Sequence, residues 1–572
     1  MAEQEKTSQD TDSGTVVTPS PSPPAAAGEE YVLTGVRLAV VFGAILLSSS
    51  LHALDQTILS TALPKIASDF DAFSLQGWIS DAYLLATTVL LLVYGKLLRI
   101  FPAKWVLVAG ISCFEIGSLV AAVSRNVGAL IAGRVISGGG AAGIYVSMIQ
   151  VISQSTRYED RPRLFGIFGL VFALCSIIGP LIGGALSDDV TWRWCFFLNL
   201  PIGGTSLFVV LLFLPAVPPL GSDPALRSPR ARIRQVLQMD LVGAVLQAAA
   251  VTTLTMALQW GGNIKPWGSA GVIACFVVSG VTAIAFLLWE HRQGDNALVP
   301  FSIFQSRTVY GSVVVNLCMR FGLIVYSYYI PIFYQAARHS SAIRSGIDLL
   351  PFLLPTAGLS LICGILVSAL GYYYPFLLLS PILIAIGSGL LYTVTTSTNE
   401  AHLVGYQILI GVGTGMAMQN AMIVLQVEFK STPRLLAQSM SLASFAQFLG
   451  GTLGLGIAEP VFSSTLTTAF ARYAPTVPAA LLALAREAPT EIYDAGVFPV
   501  QDVAGVVEAY TKSLRVVYLL GVPVAGISLI ATLFIKNERY VKPGLPTANA
   551  KAKAQEEKTE EQGPQAIEDR VA

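Results

Sequence analysis

The chain has 572 residues, of which 53% are hydrophobic and only 12% are charged. Soluble domains average about 25% charged residues, so a soluble globular protein is excluded. The 35 Lys and Arg are balanced by 35 Asp and Glu, which leaves no basic field to hold a nucleic acid.

Residues 1–36 are polar and rich in Ser, Thr, Pro and acids. They cannot bury enough apolar surface to fold and are expected to form a disordered cytoplasmic tail. Apolar stretches then follow at 37–60, 77–98, 105–124, 127–151, 164–186, 194–214, 241–260, 268–289, 310–333, 347–369, 375–394, 403–425, 438–460 and 514–535. Most are close to the roughly 20 residues that an α-helix needs to cross a bilayer. The expectation is an all-α membrane protein with 14 spans. An even number of spans puts both termini on one side. Lys96, Arg99, Lys104, Arg157, Arg161, Arg163, Arg230, Arg232, Arg234, Lys430, Arg434 and Lys536 fall in segments on that side, whereas the short opposite loops hold only Lys65, Arg125, Arg193, Lys265, Arg338 and Arg344. The positive-inside bias makes the termini cytoplasmic.

Two connections are long. Residues 215–240, rich in Pro and Arg, read as a cytoplasmic linker between a first six-helix unit at 37–214 and a pair of extra spans at 241–289. Residues 462–512 read as a long outer loop within a second six-helix unit at 310–535, with a short helix near Ala479–Glu487. Residues 543–572 are rich in Lys and Glu and are expected to be a second disordered cytoplasmic tail. A faint repeat links the two units. Span 4 holds glycines and span 5 carries Gly179, Gly183 and Gly184; span 12 holds Gly411, Gly413 and Gly415 and span 13 carries Gly450, Gly451, Gly454 and Gly456. Duplicated halves are common among secondary transporters.

The candidate chemistry lies inside the spans. Arg134 stands in LIAGRVISGGGAAG, where an intramembrane guanidinium must face protein or water. Gly138, Gly139, Gly140 and Gly143 follow it and allow a neighbouring helix to come close. Asp55 of LDQTILSTALP lies at a matching depth on a span running the other way. The two could form a proton switch, since a nearby cation favours the carboxylate and a proton would release the arginine. They could equally be a structural pair. Glu115, Arg320, Tyr326, Gln419 and Asn420 are mid-span polar residues that could line a substrate cavity or bond across helices. Gly179-Pro180-Leu181-Ile182-Gly183-Gly184 combines a helix-bending proline with small residues, which suits a packing surface that must shift. Cys113, Cys175, Cys195, Cys275, Cys318 and Cys363 form no CxxC pair; His52, His291, His339 and His402 are scattered; no GxxxxGK[ST] is present. No metal, cofactor or built-in ATPase is therefore expected, and no enzyme activity.

Taken together, LDQTILSTALP, LIAGRVISGGGAAG, GPLIGG and WRWCFFLNLPIGG resemble, in order, four motifs of the major facilitator superfamily, in its fourteen-span drug:proton antiporters. YYIPIFYQAARHSSAIRSGIDLLP and GVGTGMAMQNAMIVLQ are similar to fungal members that export toxins and secondary metabolites. The resemblance implies two six-helix bundles around a central cavity with two extra helices at the periphery. It assigns proton coupling to Arg134, and to Asp55 as its partner. It implies proton-coupled efflux of a small organic compound by a monomer in the cell membrane, with the vacuolar membrane and a nutrient or siderophore importer as the alternatives. One motif departs from the family pattern. The loop between spans 2 and 3 reads Gly95-Lys96-Leu97-Leu98-Arg99, with Arg99 where the family has an aspartate, so the usual charge latch there must be rebuilt from other partners.

Overall fold

A computed structural model describes residues 32–70, 76–220, 228–262, 265–478, 481–482, 492–493 and 498–540. Among them lie 14 helices long and apolar enough to cross a membrane. They are α1 (Gly35–Asp69), α2 (Gln76–Ile100), α3 (Ala103–Ala122), α4 (Val127–Ser155), α5 (Arg161–Ala185) and α6 (Trp194–Phe213). Then come α7 (Leu241–Trp260), α8 (Ala270–Gln293), α9 (Arg307–Arg338), α10 (Leu350–Leu370), α11 (Tyr374–Tyr392), α12 (Glu400–Glu428) and α13 (Leu436–Tyr473). The last, α14, runs through Val500–Leu519 and Gly521–Leu533.

Several helices outrun the apolar stretches that announce them. α1 continues to Asp69 and α13 to Tyr473, and α14 begins at Val500. The outer loop expected over 462–512 is therefore shorter at both ends. Apolar runs measure only the part in hydrocarbon; a helix continues past the membrane while its polar residues can pack, as in the amphipathic helical turns from Val500 to Leu514. The short helix expected near Ala479–Glu487 and most of both tails lie outside the described residues. Within the linker expected at 215–240, Pro229–Leu237 forms a helix capped by Ser228, whose Oγ accepts from the Ala231 N–H at 3.3 Å.

Helices α1–α6 form one bundle and α9–α14 the other. The faint glycine repeat has a physical counterpart here, because each seam recurs eight helices later. In the first bundle, a Cβ on Gly140 of α4 would lie 2.3 Å from the Phe114 N of α3, and one on Gly138 would lie 2.4 Å from the Tyr83 O of α2. α4 is thus wedged between α2 and α3 with backbones nearly touching. In the second bundle, Gly415 of α12 would meet the Thr356 O of α10 at 2.4 Å, and Gly413 the Ser380 O of α11 at 2.8 Å. Helix α12 is wedged in the same way. The α1–α5 seam at Gly179 and Gly183 is matched by an α9–α13 seam, where Gly450 would meet the Leu317 O at 2.1 Å. In hydrocarbon, close packing and weak polar contacts must hold helices together, and small residues make both available.

The bundles touch through two symmetry-related seams, α5 against α10 and α13 against α2. Both are tight at the end where α1 begins. Cβ atoms on Gly166 and Gly364 would strike the Leu361 Cα at 2.9 Å and the Pro162 O at 2.3 Å, and the Ser441 hydroxyl donates to the Leu91 O at 2.5 Å. Helix α7 lies along the α2–α13 seam and carries α8 on its outer side. The most apolar stretch of α8 is only 11% buried, against 83% for α4. The extra pair is peripheral and its outer member faces lipid.

Replacing Gly140 by Val is expected to lower thermal stability by about 1–3 kcal/mol or to prevent folding, since it pries α4 from α3. Gly184, whose Cβ would meet nothing within 4 Å, should accept Ala with a change of roughly 0.5 kcal/mol or less. Melting of the two purified variants by intrinsic fluorescence checks the contrast.

Candidate functional site

The N-terminus of α4 is set by Asn126, whose Oδ1 accepts the Ala129 N–H at 2.8 Å. Two turns further on, Arg134 emerges toward α1. Its Nη1 donates to Asp55 Oδ2 at 2.5 Å, and its Nε donates to the Ile79 O at 3.1 Å. The guanidinium lies 4.3 Å from the centroid of the Tyr83 ring and 5.8 Å from that of Phe196. The second carboxylate oxygen of Asp55 faces the Asn199 amide at 3.4 Å, and that amide also donates to Ser118 Oγ at 3.2 Å. Arg134 is 1% exposed and Asp55 2%. The pair expected from matched depth is a single, sealed ion pair.

His52, one of the scattered histidines, connects this pair to the rest of the molecule. It lies three residues before Asp55, on the same face of α1. Its Nδ1 shares a hydrogen bond of 2.7 Å with the Tyr83 hydroxyl, the same ring that underlies Arg134. Its Nε2 lies 3.3 Å from the Gln56 amide. On the other side, the His52 ring sits 5.5 Å from Phe448 of α13 and 6.0 Å from Tyr145 of α4. An unbroken line of contacts therefore runs from Asp55 through Arg134, Tyr83 and His52 to the opposite bundle. The signal was available in the sequence as the i, i+3 spacing of His52 and Asp55.

The bundles are also joined by amides. The Tyr145 hydroxyl donates to Gln447 Oε1 at 2.9 Å, and Gln447 Nε2 donates to Asn316 Oδ1 at 2.7 Å. One turn beyond Asn316 on α9 is Arg320, whose guanidinium lies 4.9 Å from the Phe172 ring of α5 and 5.4 Å from the Phe448 ring of α13. Gln419 stands at the break in α12, between Glu400–Met418 and Asn420–Glu428. Its Nε2 approaches within 3.8 Å of where a Cβ on Gly169 of α5 would be.

The remaining candidates are not brought to this interface. Glu115 packs against Gly203 in the α3–α6 contact of the first bundle, and its buried Oε1 has no hydrogen-bond partner among the described residues. Tyr326 is fully buried, hydrogen-bonded to the Ser388 hydroxyl and packed on Gly521 and Phe352 inside the second bundle. Asn420 donates back to the Met416 O of its own helix at 2.6 Å. Gly179 and Gly183 meet Thr57 and Ile58 of α1 within one bundle, and Thr57 and Thr61 hydroxyls donate to the Cys175 and Pro180 carbonyls at 3.1 and 3.2 Å. The GPLIGG segment thus shapes a seam inside a bundle, and Gly184 takes no part in it.

Arg99 has found other partners. Its Nη1 donates to Gln438 Oε1 of α13 at 3.1 Å and to the Asp295 O at 3.2 Å. Lys96 donates to the Asp295 and Ala297 carbonyls at 3.0 and 3.1 Å, and Gln438 Nε2 to the Leu298 O at 2.9 Å. A backbone strap between α8 and α9 thus ties α2 to α13 across the bundle seam. Backbone carbonyls and one amide oxygen take up the donors of Lys96 and Arg99.

Two bundles that meet along paired seams, with a sealed ion pair beside the interface, are the frame of a membrane transporter. The family model of the Major Facilitator Superfamily matches residues 45–455, and the chain belongs to that family. It is 36% identical to the MFS-type transporter opaD of Aspergillus ustus over 89% of this chain and 84% of that one. It is 35% identical to the MFS-type efflux pump MFS1 of Arthroderma benhamiae, over 92% and 97% of the two chains. With the efflux pump roqT of Penicillium rubens the identity is 32%, over 91% and 94%. The solved structure of the human organic anion transporter MFSD10 (TETRAN) matches with a TM-score of 0.55 at 13% identity, covering 88% of this chain and 100% of that one. At that identity the likeness concerns the fold alone.

Removing one member of a buried ion pair strands the other charge, at a cost of about 3–5 kcal/mol. Asp55→Asn and Arg134→Gln are each expected to lower stability on that scale. The double variant should be less destabilised than the sum, and a thermal double-mutant cycle on the four proteins checks it.

Proposed function

We propose that the protein is a proton-coupled exporter of a small organic compound of the drug, toxin or secondary-metabolite class, working as a monomer in the cell membrane with both termini in the cytoplasm. The observation that carries this reading is the Asp55–Arg134 pair, at 2.5 Å and almost fully buried, joined through Tyr83 and His52 to the face of the opposite bundle. The names of the similar fungal efflux pumps support the direction of transport.

In the proposed cycle Asp55 is the proton carrier. While it is ionised, it neutralises Arg134, and the site is electrically closed. When it takes a proton from the outer side, Arg134 loses its counter-charge in a medium without water. The guanidinium must then seek other acceptors. The Tyr83 ring beneath it and the Tyr83–His52 hydrogen bond are the groups it would disturb first. His52 packs on Phe448, so a shift at the ion pair reaches α13, one of the helices that forms the bundle seam. The bundles would then rock against one another. The Arg99–Gln438 strap is the contact that must open for the cytoplasmic end to part. Energetically, one proton supplies about 2.3 kcal/mol per 100 mV and about 1.4 kcal/mol per pH unit. Together these sustain a gradient of roughly 500-fold for a neutral cargo.

Reconstituted in vesicles with an imposed pH gradient, the full-length protein should accumulate a fluorescent efflux substrate on the side from which protons leave. Arg134→Ala should abolish the pH-driven component while the protein still inserts. Pumping that survives this change, or accumulation of opposite polarity, would refute the assignment.

A further inference from the structure

Arg134 and Arg320 are both buried guanidiniums inside spans, but only one has a counter-charge. Arg320 is 8% exposed and, among the described residues, has no ion pair and no hydrogen bond. Its side-chain contacts are two aromatic faces, Phe172 from one bundle and Phe448 from the other. Cation–π contact recovers only part of what desolvating an unpaired charge costs. Intramembrane charges without a protein partner mark ligand or ion sites. The protein also makes room for this one: a Cβ on Gly451 would lie 3.3 Å from Arg320 Cγ.

The neighbouring groups are also unfinished. Gly169 lies one turn from Phe172 on α5. Beside Gly169 is the Ser360 hydroxyl, which is buried and, among the described residues, has no hydrogen-bond partner. The Gln419 amide approaches the same glycine and makes no side-chain hydrogen bond among the described residues. An apolar wall completes the place, because the rings of His52, Tyr145 and Phe448 lie within 5.4–6.0 Å of each other.

We propose that the cargo is an organic anion built on an aromatic ring system, and that Arg320 selects it by supplying the counter-charge between the bundles. This rests on the export reading above and adds the substrate class to it. A guanidinium accepts a carboxylate in a two-point fork, and the flanking rings accept its planar body. Charge balance then changes for the whole cycle. One proton in and one monoanion out move two charges per turnover, where a neutral cargo moves one.

The test uses the purified full-length protein at pH 7 and a panel of aromatic carboxylates of one to four rings, each paired with its own primary amide, 1-naphthoate and 1-naphthamide among them. Equilibrium binding is expected to favour at least one carboxylate over its amide by tenfold or more. Arg320→Gln should erase that preference and Arg320→Lys should keep part of it. Without ligand, Arg320→Gln should melt no lower than the parent, because it removes an unpaired charge. A wild type that prefers no carboxylate over its amide, or a preference that survives Arg320→Gln, overturns the proposal. So does a lowered melting point of ligand-free Arg320→Gln that Arg320→Lys restores, which marks a structural arginine. Binding is read without transport, so the two readings fail separately. Selective binding with no pH-driven flux removes the export reading, and flux that treats acid and amide alike removes this one.

Discussion

A guanidinium inside hydrocarbon has no water to turn to, and most of this molecule's polar architecture follows from that constraint. Arg134 meets it with a carboxylate, a backbone carbonyl and the face of an aromatic ring. Arg320, among the described residues, meets it with aromatic rings and no counter-charge. The first arrangement is self-sufficient and sits within one bundle. The second spans both bundles and is incomplete.

The glycine seams are what make this placement possible. With α4 pressed against both α2 and α3, Arg134 cannot turn outward, so its side chain is directed to α1 and Asp55. The same wedge recurs at α12, and there it positions Gln419 opposite Gly169. A duplicated packing rule thus builds two unlike sites, a charged pair in one half and a set of unsatisfied polar groups at the boundary. The peripheral pair α7 and α8 stands outside this duplication. Through the strap at Asp295–Leu298 it is nonetheless tied to the end of α2 and the start of α13.

Much of this was legible in the residues. Length and apolarity marked each span, because a helix in lipid must be about 20 apolar residues long. The Asp55–Arg134 pair could be read from depth, since each span is a ruler of 1.5 Å per residue. Depth does not give azimuth, and the misplaced candidates show this. Glu115 and Tyr326 lie at mid-span, but their faces turn into the packing of a single bundle. Gly184 belongs to the right motif and faces open space. His52 forms no metal or catalytic motif, and only its spacing of three residues from Asp55 marks it in the sequence.

By itself, then, the chain determined the number of spans and marked, by their glycines, helices with faces thin enough to pack closely. Each of these depends on local composition and on the absence of water. Tertiary structure alone decided which polar groups meet: Tyr145 with Gln447, Gln447 with Asn316, and Arg99 with Gln438 and the Asp295 carbonyl. It also left Arg320, among the described residues, without a counter-charge. Those outcomes depend on how each helix is rotated about its axis. That rotation is set by the fit of whole bundles against each other, and no stretch of sequence contains it.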